Sequence, residues 1–254
     1  MLESQDLKDF SITTWYKTFK NITLNTILIE IPPELLNYLR SDDFDGDIKT
    51  VCNSEYINNL KDALKRFDNK VFAKNNWRAP LDAKFMSLSN LLQVNCIEDL
   101  INYFKASDVV MNDFYGKYDE GYCFALREFL NIHPASEFRC IVVGDILRGI
   151  TPRDWPTYYG HFAEEGPNII RLISEFFQGN LKGKFIRKNY VFDVIITYPS
   201  KVELVDLSPL NNKTNLNAFL WEEIDKLIKM DSREMVAPVF RYLESDKGII
   251  LKPK

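Results

Sequence analysis

Apolar and polar positions alternate along the chain in a way that predicts short strands interspersed with helices. Runs rich in β-branched and aromatic residues predict strands at about 26–31, 71–74, 121–132, 137–143 and 145–150. Apolar residues at helical spacing predict helices at about 34–40, 54–67, 96–105, 169–178 and 215–230, and a last strand is predicted at 248–251. The elements follow one another without a regular strand–helix–strand order, so the predicted fold class is α+β.

One further element, a β-hairpin over residues 190–209, brings two carboxylates together. Pro199 suits the second position of a turn at 198–201. If that turn is centred between Pro199 and Ser200, then Asp193 and Asp206 are direct cross-strand neighbours. Like charges opposite each other destabilise a sheet, and the flanking residues are apolar, so a cation such as Mg²⁺ must offset the pair. Two alternatives stay open: each aspartate meets water or its own Lys or Arg, or a one-residue bulge separates their faces.

Composition excludes several classes of protein. The 254 residues carry a net charge of −4, and no stripe of Lys and Arg favours a nucleic-acid surface. The four cysteines lack CxxC spacing and there are only two histidines, which argues against a zinc site and suits a reducing compartment such as the cytoplasm. No apolar run is long enough for a transmembrane helix. We therefore expect a monomer without nucleic-acid or membrane partners.

Five cations lie within or beside apolar stretches, where a charged residue needs a counter-charge. They are Lys74, Lys105, Arg127, Arg139 and Arg153. Each one alone is more typical of a structural salt bridge. Together with the aspartate pair they describe a nucleoside triphosphate site, with lysines on the phosphates and carboxylates holding Mg²⁺. Because neither GxxxxGK[ST] nor GxGxxG occurs, the phosphates would have to be recognised by lysines on strands.

Several segments, in the same order, resemble the cell division cycle protein 123 family, which has an ATP-grasp fold. FAKNNWRAPLDA at 72–83 is similar to the family's FPKLNWSAPKDA, and FKASD at 104–108 resembles its LKSSD. LREFLNIHPASEFRC at 126–140 is similar to LRKWVNIRPGMEFRC, and GITPRD at 149–154 to GISQRD. VDLSP at 205–209 resembles IDFNP, with Ser208 in place of the family asparagine. A hydroxyl binds Mg²⁺ more weakly than an amide carbonyl does.

The resemblance implies two lobes with ATP bound between antiparallel sheets. Residues 1–126 would form the N-terminal region and lysine-bearing lobe, and residues 127–254 the lobe with the hinge and the metal-binding hairpin. Lys74 and Lys105 would contact phosphates, the backbone of 128–130 would form the adenine hinge, and Arg139 would support the phosphate end. The nucleotide-binding residues implied are Lys74, Lys105, Arg127, Glu128, Phe129, Leu130, Arg139, Asp193 and Asp206. The metal ligands implied are Asp193, Asp206 and Ser208.

Two functions follow from the resemblance. Family members bind ATP and assist assembly of translation initiation factor 2 by binding its gamma subunit, so the chain would be an ATP-binding assembly chaperone linked to the cell cycle. The alternative is an ATP-grasp enzyme, a carboxylate–amine ligase or phosphotransferase that activates a carboxylate as an acyl phosphate. The sequence identifies neither a catalytic residue nor an acceptor site for that alternative.

Overall fold

The computed structural model describes residues 4–44, 46–87, 91–197, 199–229 and 237–246. These residues form two compact units. The first contains the described residues up to 17 and from 24 to 131, and the second contains 18–23 and those from 132 onward. The functional division implied between residues 126 and 127 stays a prediction.

The first unit is built on a three-stranded antiparallel sheet with β3 in the centre. Its strands are β1 (Thr26–Ile31), β2 (Val71–Lys74) and β3 (Tyr122–Glu128). The helices are α1 (Ser4–Asp9), α2 (Ile12–Phe19, which continues into the second unit), α3 (Pro33–Arg40), α4 (Ile48–Val51), α5 (Ser54–Lys65), α6 (Ile97–Lys105) and α7 (Asp108–Phe114). A 3₁₀ helix spans Leu81–Met86.

Aromatic rings from α6, α7 and β3 fill the core of the first unit. Phe104 lies 5.0 Å from Phe124 and 6.2 Å from Phe114, measured between ring centroids, and all three are fully buried. Helix starts follow local chemistry: Asn53 accepts from the amide of Tyr56 at the start of α5, satisfying a donor that has no partner within the helix.

The second unit is built on a five-stranded sheet in the order β7-β6-β4-β5-β8. Its strands are β4 (Glu137–Val143), β5 (Ile146–Pro152), β6 (Tyr190–Thr197), β7 (Lys201–Pro209) and β8 (Val239–Phe240), antiparallel except for β8 against β5. A 3₁₀ turn at Pro134–Ser136 precedes β4, and the helices are α8 (Phe162–Asn180) and α9 (Trp221–Lys229).

The two helices cover opposite faces of this sheet. On one face, Phe177 of α8 stacks on Phe192 with an interplanar angle of 11°. On the other face, Ile141 and Val191 form a buried cluster with Ile224 of α9. Because successive residues of a strand point to opposite faces, Arg139 and Asp193 share the α9 face with these aliphatic residues.

The structure confirms the α+β class and most predicted elements. Gly144 and Asp145 form the predicted tight turn with φ of +64° and +61°. The strand predicted to reach residue 132 ends at Glu128. Helix α8 starts at Phe162, seven residues before its predicted start at 169. Helix α9 starts at Trp221, six residues after its predicted start at 215. The strand predicted at 248–251 lies outside the described residues.

None of the helices in the described ranges combines the length and the apolar character that crossing a membrane requires.

Candidate functional site

Asp193 and Asp206 are cross-strand partners, as the hairpin pattern predicts. The strand register that produces this pair differs from the predicted register. Near the turn, Thr197 pairs with Lys201 and Val194 pairs with Leu204, so the register is one residue shorter than predicted. A bulge between this stretch and Asp193 absorbs the extra residue, Val205, and restores the aspartate pair. Without that bulge, Asp193 would face Val205.

Asp193 is buried beneath two arginines. Arg139 donates from Nε to Oδ1 and from Nη2 to Oδ2, both at 2.8 Å, and Arg153 donates from Nε to Oδ2 at 3.1 Å. Burial acts to raise the pKa of Asp193, but the two guanidinium charges outweigh it and hold that pKa below its usual range. The alternative in which an aspartate meets its own arginine is therefore realised at Asp193.

Asp206 and Ser208 are half-buried and share one face of β7. The amide of Leu207 donates to Asp206 Oδ1 at 3.0 Å. Two carboxylates and a hydroxyl form an oxygen-only donor set, which suits Mg²⁺ in chemistry. A carboxylate offers about four lone-pair sites, and the arginines use three on Asp193, so the hydrogen bonds from the described residues leave one for a metal.

A metal at this place needs further ligands. In the described part of the chain, no group of three or more His, Cys, Asp or Glu side chains is arranged to hold a metal ion. Beyond Asp193, Asp206 and Ser208, the remaining ligands would be water and oxygens of a bound phosphate group, the arrangement in which Mg²⁺ most often occurs in proteins.

Glu137 adds a third carboxylate to the pair formed by Asp193 and Asp206. Burial and the negative charge of Asp193 raise the pKa of Glu137 to about 7, and the positive charge of Arg153 opposes them. Arg153 Nε lies 3.9 Å from Glu137 Oε1. The site thus combines three carboxylates with two guanidinium groups.

Lys74 ends strand β2 and is 2% exposed. Its charge acts on the buried carboxylate of Asp113. Asn75, the next residue, holds the backbone after β2 in a turn, because its Oδ1 accepts from the amides of Trp77 and Arg78. Its Nδ2 donates to Asp113 at 2.9 Å. Arg78 also donates to Asp113. This network holds Lys74 at the end of the strand.

The structure joins the two lysine-bearing segments. Asp82, from segment 72–83, accepts from the hydroxyl of Ser107 and the amide of Val109. Ser107 also caps α7, accepting from the amide of Val110 at 3.1 Å. Segments 72–83 and 104–108 are therefore tied together at the start of α7, a contact that sequence reasoning missed.

Lys105, at the end of α6, is held by the end of α3. Its ammonium donates to the carbonyl oxygens of Tyr38 and Ser41 at 2.6 and 2.8 Å, and it lies 4.2 Å from the centre of the Tyr38 ring. Burial lowers the pKa of Lys105, and the nearby Asp43 and Asp42 act in the opposite direction. A phosphate contact by Lys105 would require release of these carbonyl groups.

The residues implied for the adenine hinge follow the end of β3. Arg127 is 1% exposed and donates from Nε to Thr26 Oγ1 at 3.2 Å. Glu128 is exposed, whereas Phe129 and Leu130 are half-buried. The amide of Phe129 donates to the carbonyl of Lys70 at 2.8 Å, which ties the segment to the start of β2.

Comparison with solved structures defines the class of protein first. The fold matches the D-alanine–D-alanine ligase from Coxiella burnetii with a TM-score of 0.50 at 14% identity, covering 90% of this chain and 58% of that one. The fold is therefore ATP-grasp-like, as the resemblance implies. The D123 family model matches residues 49–253, and the chain belongs to this family.

Two relatives match almost the whole chain. The structure of Cdc123 from Schizosaccharomyces pombe is similar with a TM-score of 0.84 at 26% identity, covering 96% of this chain and 98% of that one. The "Translation initiation factor eIF2 assembly protein" of Xenopus tropicalis is 26% identical, covering 99% of this chain and 89% of the relative. The resemblance to the cell division cycle protein 123 family is thus confirmed.

Proposed function

We propose that this chain is an assembly factor for translation initiation factor 2 that binds Mg-ATP and acts in the cytoplasm. The observation that carries the proposal is the extent of the similarity to a relative named as an eIF2 assembly protein, 99% of this chain and 89% of the relative. A likeness that spans nearly all of both proteins supports a shared activity more strongly than a shared domain would. The family resemblance makes the gamma subunit the proposed direct partner and the cell cycle the proposed context.

Mg²⁺ would be held by the oxygen donors of the hairpin. Asp206 and Ser208 would bind the ion from one face of β7, and Asp193 would add its remaining lone-pair site. The ion would neutralise phosphate charge, which carboxylates alone would repel. The clamp of Arg139 on Asp193 supports this proposal because it keeps Asp193 ionised and fixed in position.

The nucleotide would be bound mainly by residues of the implied ATP set. Lys74 and Arg127 would supply positive charge, and the backbone from Glu128 to Leu130 would supply hydrogen bonds to the base. Lys105 would join them only after releasing α3. We propose that ATP is a bound ligand that supports partner binding. The likeness to a ligase shows the fold alone and does not extend to ligation.

Retention of the gamma subunit by the tagged chain tests the proposal. We expect purified gamma subunit to be retained in the presence of Mg-ATP, and Asp206→Ala to reduce that retention strongly. The matched control is Asp225→Ala, which removes an exposed carboxylate from α9 and leaves retention unchanged. Failure of the folded, ATP-binding chain to retain gamma subunits from several eukaryotes would contradict the proposed function.

A further inference from the structure

The two arginines beside Asp193 are engaged to different extents. All three guanidinium nitrogens of Arg139 donate to protein: Nε and Nη2 to Asp193, and Nη1 to the carbonyl of Asn215 at 2.6 Å. Arg139 is also buried, with 6% of the whole residue exposed. Its side chain is therefore a structural clamp with little capacity for an added ligand.

Arg153 uses one nitrogen for the same carboxylate. Its Nε donates to Asp193, and across the described residues its two terminal nitrogens have no hydrogen-bond acceptor. The side chain is 30% exposed, whereas that of Arg139 is 7% exposed. Arg153 thus presents the outer edge of a planar donor group beside the carboxylate pair.

The backbone holds Arg153 in this place. Its amide donates to the carbonyl of Glu137 at 2.8 Å, and Asn217 Nδ2 donates to the carbonyl of Pro152 at 2.8 Å. A guanidinium group that is already oriented by Asp193 loses little conformational freedom when it binds an anion. Its terminal nitrogens match the geometry of phosphate oxygens, to which arginine commonly makes two parallel bonds.

We propose that Arg153 binds a phosphate group of the nucleotide directly, while Arg139 acts only by positioning Asp193. This assignment rests on the proposed Mg-ATP binding, and it differs from the role at the phosphate end that the resemblance implies for Arg139. A metal held by Asp193 and Asp206 would draw phosphate oxygens toward these carboxylates, and Arg153 lies 3.1 Å from one of them. The phosphate and Asp193 would then share one guanidinium group from opposite edges.

Calorimetric titration of the full chain with Mg-ATP, Mg-ADP and adenosine tests the assignment. Arg153→Gln is expected to weaken binding of both phosphorylated ligands by about tenfold to hundredfold, the loss of charge-assisted hydrogen bonds. Adenosine binding should stay unchanged, while the melting temperature of the free protein falls because the buried Asp193 loses one of its two guanidinium partners. Arg153→Lys should restore part of the loss, because an ammonium keeps the charge but cannot bridge Asp193 and a phosphate. The control, Arg171→Gln, removes an exposed ion pair with Glu175 on α8 and should bind like the wild type.

The outcomes separate this assignment from the proposed function. If wild-type protein binds Mg-ATP and Arg153→Gln binds it equally well, the phosphate contact is refuted and the proposed function stands. If Arg153→Gln weakens adenosine binding to the same degree as Mg-ATP binding, Arg153 is structural and the assignment is overturned. If wild-type protein binds none of the three ligands, the nucleotide part of the proposed function fails as well.

Discussion

Replacing Lys105 by methionine separates two roles for this lysine. In the structure the ammonium of Lys105 caps the C-terminal end of α3 by donating to the carbonyl oxygens of Tyr38 and Ser41. The family resemblance instead implies a phosphate contact. Methionine keeps most of the side-chain length and removes the charge, so the substitution tests the ammonium rather than the packing of its stem.

The structure sets the size of the expected effect. Tyr38 O keeps two donors after the substitution, the amide and hydroxyl of Ser41 at 3.1 and 2.8 Å, so it is not left unsatisfied. Ser41 O loses the lysine donor. One hydrogen bond to a charged group contributes about 1.5–3 kcal/mol, and the contact with the Tyr38 ring about 0.5–1 kcal/mol. Relief of the burial that lowers the pKa of Lys105 offsets part of this sum. We expect a net loss of about 2–3 kcal/mol.

Urea unfolding, amide hydrogen exchange and ATP titration together measure the outcome. Lys105→Met should lower the free energy of unfolding and speed exchange at residues 38–41, while the affinity for Mg-ATP changes little. The matched control is Lys61→Met on the exposed face of α5, which should change stability by less than about 0.5 kcal/mol. Unchanged stability with ATP affinity reduced by about tenfold or more would refute the capping role and favour the phosphate contact.

Three further substitutions test packing, metal binding and the tie between the lysine-bearing segments. Gly149→Ala would place a methyl group 2.6 Å from an aromatic ring packed on β5 and should destabilise by about 1–3 kcal/mol in urea unfolding. Its control, Gly179→Ala in α8, meets no atom within 4 Å and should stabilise by about 0.5–1 kcal/mol; equal effects at both sites would contradict the packing account. Ser208→Asn should lower the Mg²⁺ concentration needed for ATP binding several-fold, measured by titration at fixed ATP, and an unchanged requirement would remove Ser208 from the metal site. Burial acts to raise the pKa of Asp82, but hydrogen bonds from the Ser107 hydroxyl and from backbone amides, that of Val109 among them, hold this pKa below its usual range. Stabilisation by these contacts is therefore present above about pH 4 and is lost as the pH falls through the folded-state pKa. Ser107→Ala should cost about 0.5–2 kcal/mol at pH 7 and reduce that acid dependence, and a dependence as steep as in the wild type would contradict the assignment.

The hairpin shows which features of the site the sequence predicts and which it does not. The turn signal and the alternation of apolar residues predict strands β6 and β7, and the pairing of Asp193 with Asp206 is observed. The bulge at Val205 could not be predicted, because nothing in the local sequence distinguishes a regular strand from a bulged one there. The correct pair follows from two differences that cancel, a shorter register at the turn and one added residue.

Long-range contacts account for most of what the sequence could not show. The partners of Lys105 lie more than 60 residues away along the chain, so its apolar surroundings indicate burial without revealing the cap. Helix α8 runs through Pro167, which lacks a backbone donor and is more typical of a helix start or a loop. Its first turns are held by burial of Phe162 against Phe138, and such packing overrides local propensity. By contrast, helix α7 could have been predicted from the sequence, because Ser107 stands directly before its apolar residues as a local N-terminal capping signal.

The proposed assembly role is tested most directly by the assembly state of translation initiation factor 2 in cells that are depleted of their own assembly protein and express this chain. The measured quantity is the fraction of gamma subunit that sediments with the alpha and beta subunits. We expect the wild-type chain to restore the three-subunit complex and Asp206→Ala, expressed to the same level, not to restore it. If the gamma subunit stays unassembled in the presence of the folded wild-type chain, this chain is not an assembly factor for translation initiation factor 2.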